Sequence, residues 1–196
     1  MKKSGIIIAT MIAGAEVSAQ TKWNIDPSHS MVRFSVTHLM VSETNGQFKL
    51  FDGKITTSKE DFTDANIEFS IDVNSINTDD EKRDGHLKSA DFFDVNNYPK
   101  MIFKSKSFKK TEGKNYKLSG DLTIKNVTKS MEFDVVYNGT ANDPWGNTKA
   151  GFKLNGNINR MDFGLKWNVA IESGGVLVSE TVKISCDVEL GKEKMK

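Results

Sequence analysis

The sequence has a single cysteine, Cys186, in 196 residues. One chain can therefore build neither a disulfide framework nor a Cys-based zinc site, and its stability has to come from the core. No sign of charge dominates: 27 Lys and Arg stand against 26 Asp and Glu, interleaved along the chain. The one-sided basic footprint of nucleic-acid binding is missing, so nucleic acid is not an expected partner. Long apolar runs are missing too. A bilayer-spanning helix takes about 20 apolar residues, and the longest run here is roughly half that, so no integral membrane span is expected. Signatures of chemistry are equally scarce. There is no Gly-x-Ser-x-Gly elbow and no Gly-rich phosphate loop followed by Lys and Ser or Thr. The three histidines, His29, His38 and His86, include no pair at helical zinc spacing, and no acidic loop has the spacing of a calcium hand. Neither a metal nor a cofactor is expected, and no residue is assigned a catalytic role.

What is present begins with a leader. Lys2 and Lys3 precede an apolar run from Gly5 to Ala15, and Val17, Ser18 and Ala19 supply short side chains before Gln20. This is the pattern of a secretory signal peptide cleaved near Ala19, which makes the protein periplasmic or secreted. Residues 1–19 are set apart from the fold, residues 20–190 form one domain, and residues 191–196 form a charged tail. Cys186 lies far from the cleavage site, so a lipid-anchored form is not expected.

From there on, period-two alternation recurs to the end of the chain. Val32, Phe34 and Val36 alternate with Arg33, Ser35 and Thr37; Ile67, Phe69, Ile71 and Val73 alternate with Glu68, Ser70 and Asp72. The same pattern marks 118–124, 131–138, 152–159 and 182–190, with weaker runs near Trp23, from Phe48 to Ile55 and from Met101 to Ser107. These are half-buried strands. The clusters Glu112-Gly113-Lys114-Asn115 and Asn142-Asp143-Pro144-Trp145-Gly146 read as turns between them, as does Gly174-Gly175. No helical crossovers separate the strands, so the sheet is antiparallel and closes as a barrel or sandwich. Thr78-Asp79-Asp80-Glu81 has the form of a capping box and predicts a short surface helix or lid running to about Ser89.

Two readings stay open for the histidines near this lid. His38 shares the apolar parity of its strand, so it is either buried with a hydrogen-bond partner or placed at the mouth of a cavity. His86, in Arg83-Asp84-Gly85-His86-Leu87, either belongs to a network that locks the loop or acts as a general base. The aromatics are mainly phenylalanine, 12 in all. Phe34, Phe69, Phe133 and Phe152 fall on the inward parity. An eight-stranded barrel is just wide enough either to fill with such side chains or to hold a slender ligand, and alternation alone does not separate the two.

Several phrases together carry a resemblance. Trp23-x-Ile25-Asp26-Pro27-Ser28-His29-Ser30 is followed by Val32-x-Phe34-x-Val36-x-His38. Next come Arg83-Asp84-x-His86-Leu87-x-Ser89-x-Asp91-Phe92-Phe93-Asp94, Tyr98-Pro99 and Gly120-x-Leu122-Thr123-Ile124-x-x-Val127-Thr128-Lys129. Ile158-x-Arg160-x-Asp162-Phe163-Gly164 closes the series. In this order, from about Trp23 to Leu190, the chain resembles the YceI-like, polyisoprenoid-binding family. The resemblance implies an all-β, extended lipocalin-like, eight-stranded antiparallel barrel with an apolar tunnel, exported and homodimeric. It also implies a ligand, a long-chain isoprenoid of quinone or polyprenyl type or a related amphipathic or acyl lipid. That lipid would be held for transport, storage or sequestration, in an envelope-stress role among others. Phe34, Val36, Phe69, Ile71, Phe103, Leu122, Phe133 and Phe152 are then expected to line the tunnel with Phe93 beside them. His38, Arg83 and His86 are expected at its mouth, facing the head group. Two rivals remain: a small enzyme acting on a lipid or quinone, with His86 as base oriented by Asp84, and an envelope protein-interaction module with a filled core.

Overall fold

In the computed structural model, which describes residues 20–171 and 174–194, the alternating segments become eleven strands and one short helix. The strands are β1 (Thr21–Ile25), β2 (Met31–His38), β3 (Ser42–Phe48), β4 (Phe51–Thr57), β5 (Asn66–Asp72), β6 (Ile76–Asn77), β7 (Lys100–Lys110), β8 (Asn115–Ile124), β9 (Val127–Asn142), β10 (Thr148–Asn159) and β11 (Val178–Lys192). The helix, α1 (Glu81–Lys88), follows β6. The expected leader, residues 1–19, and the last two residues of the tail lie outside the described residues. β11 itself runs to Lys192, because Gly191 still pairs with both Asn24 and Lys149.

Eleven strands make only eight staves because three staves are broken. β1 and β2 both pair antiparallel with β11, at its two ends, so they form one stave interrupted by the Pro27–His29 turn. Proline cannot donate a ladder hydrogen bond, and it presets the φ of that turn. β3 and β4 continue each other in the same way across Lys49 and Leu50, and β5 and β6 across Val73–Ser75. Each neighbouring pair is antiparallel, and β1 against β11 closes the ring. Closure removes the long free edges that are the liability of open sheets, and among the described residues only the two-residue β6 pairs on one side alone. The predicted turns are in place, with Gly113 (φ 57°) and Gly146 (φ 76°) supplying the left-handed backbone that each requires.

One end of the barrel is plugged. Phe62, 2% exposed, enters from the loop after β4 and meets Trp23, Tyr137 and Phe152 at centroid distances of 5.2, 5.5 and 5.1 Å. Phe108 stacks on Tyr116 beside them at 4.7 Å, and Tyr116 donates its hydroxyl hydrogen to the Asp61 carbonyl at 3.0 Å. Asp64 ties down this loop. Its carboxylate accepts from the Thr57 hydroxyl at 2.5 Å and from the backbone N–H of Ser58 and Lys59 at 3.0 and 3.2 Å. These bonds, led by Thr57, hold the Asp64 pKa below the ordinary carboxylate value. At the broken stave, Lys149 does the same for Asp26.

A depressed folded pKa contributes stability that is complete above the unfolded value, near pH 4, and is lost as pH falls through the folded one. Melting curves from pH 7 down to pH 2 are expected to fall steadily below about pH 4. Asp64→Asn is expected to melt lower at pH 7 and to show a shallower acid dependence; an unchanged acid slope would remove Asp64 from the account.

The other end is open and carries the lid. The capping box is not formed as the sequence suggests. Asp79 turns at φ 60°, so Asp80, not Thr78, is the N-cap and accepts from Arg83 N–H at 3.0 Å. Thr78 instead donates its hydroxyl and its N–H to Asp84, at 2.6 and 2.9 Å. Next to the lid, β2 turns into β3 through Leu39 and Met40, both at positive φ (50° and 62°), with Val41 N–H donating to the His38 carbonyl at 3.1 Å. Side chains other than Gly, Asn or Asp pay about 1–2 kcal/mol for that conformation.

Candidate functional site

Inward-facing phenylalanines do not fill this barrel, and glycine is the reason. A Cβ at Gly46 would stand 2.4 Å from the Phe34 ring, one at Gly120 2.5 Å from Phe103 and one at Gly156 2.4 Å from Phe133. Each ring therefore reaches into the room that a glycine on the adjacent strand leaves beside the wall. Phe34, Phe69, Ile71, Leu122, Phe152 and Leu154 all point inward yet remain half-buried, since their free faces border open space.

That space is an inner chamber of ≈ 190 Å³ that shows no polar atom to the lumen. It continues into an outer chamber of ≈ 490 Å³ beneath the lid. Phe34, Phe48, Met101, Ile124, Ile158 and Ile184 border both. The aromatic plug makes the cavity a blind pocket, where the resemblance implies a tunnel. Each sequence candidate lies on its wall: Phe69, Ile71, Phe103, Leu122, Phe133 and Phe152 on the inner chamber, Val36, His38, Arg83, His86 and Phe93 on the outer, Phe34 on both. Cys186 also faces the inner chamber, and burial pushes its thiol up to about 12, which makes it a small apolar wall residue and not a nucleophile.

Basic residue types gather at the mouth. His38, Lys82, Arg83, His86 and Arg160 line the outer chamber, and among the described residues no carboxylate does. His38 has no side-chain hydrogen bond among the described residues. Arg83 holds the Thr78 hydroxyl and carbonyl through Nε and Nη2, at 2.8 and 2.7 Å. The dyad of His86 and Asp84 is not formed: Asp84 is engaged by Thr78, and His86 Nε2 pairs with Asp91 at 2.9 Å. The His86 ring meets Phe92 and Trp167 edge to face, at 5.1 and 4.8 Å. It ties α1 to the segment before β11, the loop-locking arrangement and not a base oriented by Asp84.

Sequence reasoning leaves Arg160 and Trp167 out of the site. Arg160, 3% exposed, sends Nε to the Ser179 carbonyl at 2.9 Å, Nη1 to those of Leu165 and Trp167 at 2.5 and 2.8 Å, and Nη2 to that of Val178 at 3.2 Å. Burial lowers its pKa from the ordinary arginine value. Only the phrase Ile158-x-Arg160-x-Asp162-Phe163-Gly164 marks it, as a match without a role. One further cluster, Asp26, His29 and Glu189, has metal-ligand geometry. Lys149 Nζ sits among its carboxylates, 2.6 Å from Asp26 and 3.1 Å from Glu189, so it is an ion-pair network that pins the broken stave.

Comparison with known proteins agrees with this architecture. The model of the YceI-like domain family matches residues 23–190. A UPF0312 protein of Staphylococcus aureus is 39% identical over 170 residues, which is 86% of this chain and 96% of the relative. The crystal structure of the Campylobacter jejuni YceI protein aligns with a TM-score of 0.69 at 28% identity, covering all of both chains. A polyisoprenoid-binding domain from Saccharophagus degradans has the same fold, with a TM-score of 0.65 at 16% identity over 87% of this chain and 98% of its own.

Proposed function

The chain belongs to the YceI-like domain family, and from that premise we propose that it binds a long-chain isoprenoid, or a related amphipathic lipid, tail first in the barrel. The observation that carries this reading is the inner chamber, a blind pocket with no polar atom on its wall. Water gains nothing there, whereas each tail methylene moved into it contributes about 0.8 kcal/mol. The polar end of such a lipid would then lie in the outer chamber beside His38, Lys82 and Arg83. The fold neighbour described as a polyisoprenoid-binding domain lends support to the isoprenoid class.

The protein is read as a binding protein and not an enzyme, exported to the periplasm or beyond on the strength of its leader, where it carries, stores or sequesters its lipid. The test is mass spectrometry of an organic extract of the protein as isolated. A stoichiometric isoprenoid or acyl species is the expected result. An empty extract, from protein that also fails to take up a fluorescent isoprenoid probe, would overturn the reading.

A further inference from the structure

Nine large apolar side chains stand exposed among the described residues, and five of them, Leu39, Met40, Val41, Val169 and Val176, meet on the rim of the open end. Leu39 N–H donates to the Leu177 carbonyl and Leu177 N–H to that of Val169, both at 2.9 Å. Val176 bridges Ala170, and the Met40 thioether packs where Gly175 has no side chain. Met40 is 68% exposed and Val41 84%. An ordinary surface turn would not be built this way. Two positive φ values in a tight turn call for Asn or Gly, and here the strained positions hold Leu and Met, 38% and 68% exposed. Large apolar side chains held exposed at strained positions point to function.

The surroundings name the occupant. Leu177 and Val178, adjoining the rim, also line the outer chamber, so the apolar tip is continuous with the open end of the pocket. Lys82 and Arg83 line that mouth, Arg83 also standing 3.9 Å from Asp80, and no carboxylate among the described residues lines the chamber beside them. An apolar tip beside Lys82 and Arg83 fits a bilayer carrying acidic phospholipid, which takes up apolar side chains at its interface and attracts basic ones.

We propose that the turn Leu39-Met40-Val41, with Val169 and Val176, inserts into an anionic lipid bilayer and seats the barrel mouth on it. The cargo tail then passes between membrane and pocket without crossing water. This use of the surface rests on the lipid-binding reading; the surface itself does not.

The experiment is sedimentation of the protein, isolated as the cell makes it, with vesicles of phosphatidylcholine and phosphatidylglycerol. The double substitution Leu39→Asn, Met40→Gly is run beside it. That variant relieves the strained turn, so it is expected to melt no lower than the parent while losing about tenfold or more in vesicle binding. Trp145→Ser, at the plugged end, is expected to bind as the parent does, and vesicles of phosphatidylcholine alone are expected to bind less. A parent that leaves vesicles unbound, or a double variant that sediments equally well, would overturn the proposal. So would a parent dimer that the double variant converts to monomer with no binding to vesicles. Uptake of a soluble isoprenoid probe is measured on the same samples. Vesicle binding without probe uptake would keep the docking surface and overturn the cargo reading; probe uptake without vesicle binding would do the reverse.

Discussion

A Leu122→Trp, Leu154→Trp double variant should fold as the parent does and bind a long-tailed lipid more than about a hundredfold less tightly. Both leucines are half-buried on the wall of the inner chamber, so the larger rings grow into open space and not into packed neighbours. Overpacking penalties of the usual kind are therefore avoided, and the melting temperature should hold or rise. The rings would displace about four methylenes of tail, at about 0.8 kcal/mol each, which is about 3 kcal/mol, or somewhat over two orders of magnitude in Kd. Titration with a fluorescent isoprenoid probe measures it. Unchanged affinity in a well-folded double variant would place the lipid elsewhere, and the outer chamber would be the next place to block.

Arg160→Met should be the most destabilising single substitution on the rim. It removes four hydrogen bonds to backbone carbonyls, three of them on Leu165, Trp167 and Ser179 at 2.5–2.9 Å, and strands those carbonyls in a nearly water-free site. The Val178 carbonyl keeps Asn168 as a donor, so at about 1 kcal/mol for each of the other three acceptors left without its partner the loss is about 3 kcal/mol. For a chain of this size that corresponds to a melting temperature lower by about 9 °C. Arg160→Lys should recover little of it, because one ammonium cannot reproduce the planar fork. Thermal unfolding measures the size of the effect, and hydrogen exchange at residues 165–169 its place. A drop of only a degree or two would mean that water replaces the guanidinium cheaply and that the rim is held by other contacts, with Asn168 the first to examine.

The contrast between Phe133 and Phe62 shows what is legible in the sequence. Phe133 announces itself through alternation, since period two alone assigns a side chain to one face of its strand, and the same logic finds Phe34, Phe69, Leu122 and Phe152 on the lumen. Phe62 carries no such signal. It stands in an aperiodic loop at φ 60°, and only the closure of the barrel turns it into a plug. Arg160 and Trp167 share that obscurity, because their partners are carbonyls and rings brought together by tertiary folding. The glycines beneath the phenylalanines are hidden for another reason. Gly120 and Phe103 are near each other only once β7 and β8 are in register, and register is not written in either strand alone. The helix can be read from its residues, but its cap cannot. Thr78 and Asp80 both suit that role, and the positive φ of Asp79 decides between them.

The aromatic plug has a kinetic meaning as well as a structural one. A sleeve open at both ends could pass cargo from one side to the other, like a pipe. A cul-de-sac cannot: whatever goes in tail first must back out head first through the same door. Were the lipid we propose delivered from a donor to an acceptor, such a molecule would work as a shuttle. It would have to let go of the donor, turn in solution and present one and the same face to the acceptor, so donor and acceptor would compete for a single berth, and the flow would follow whichever holds the lipid more tightly.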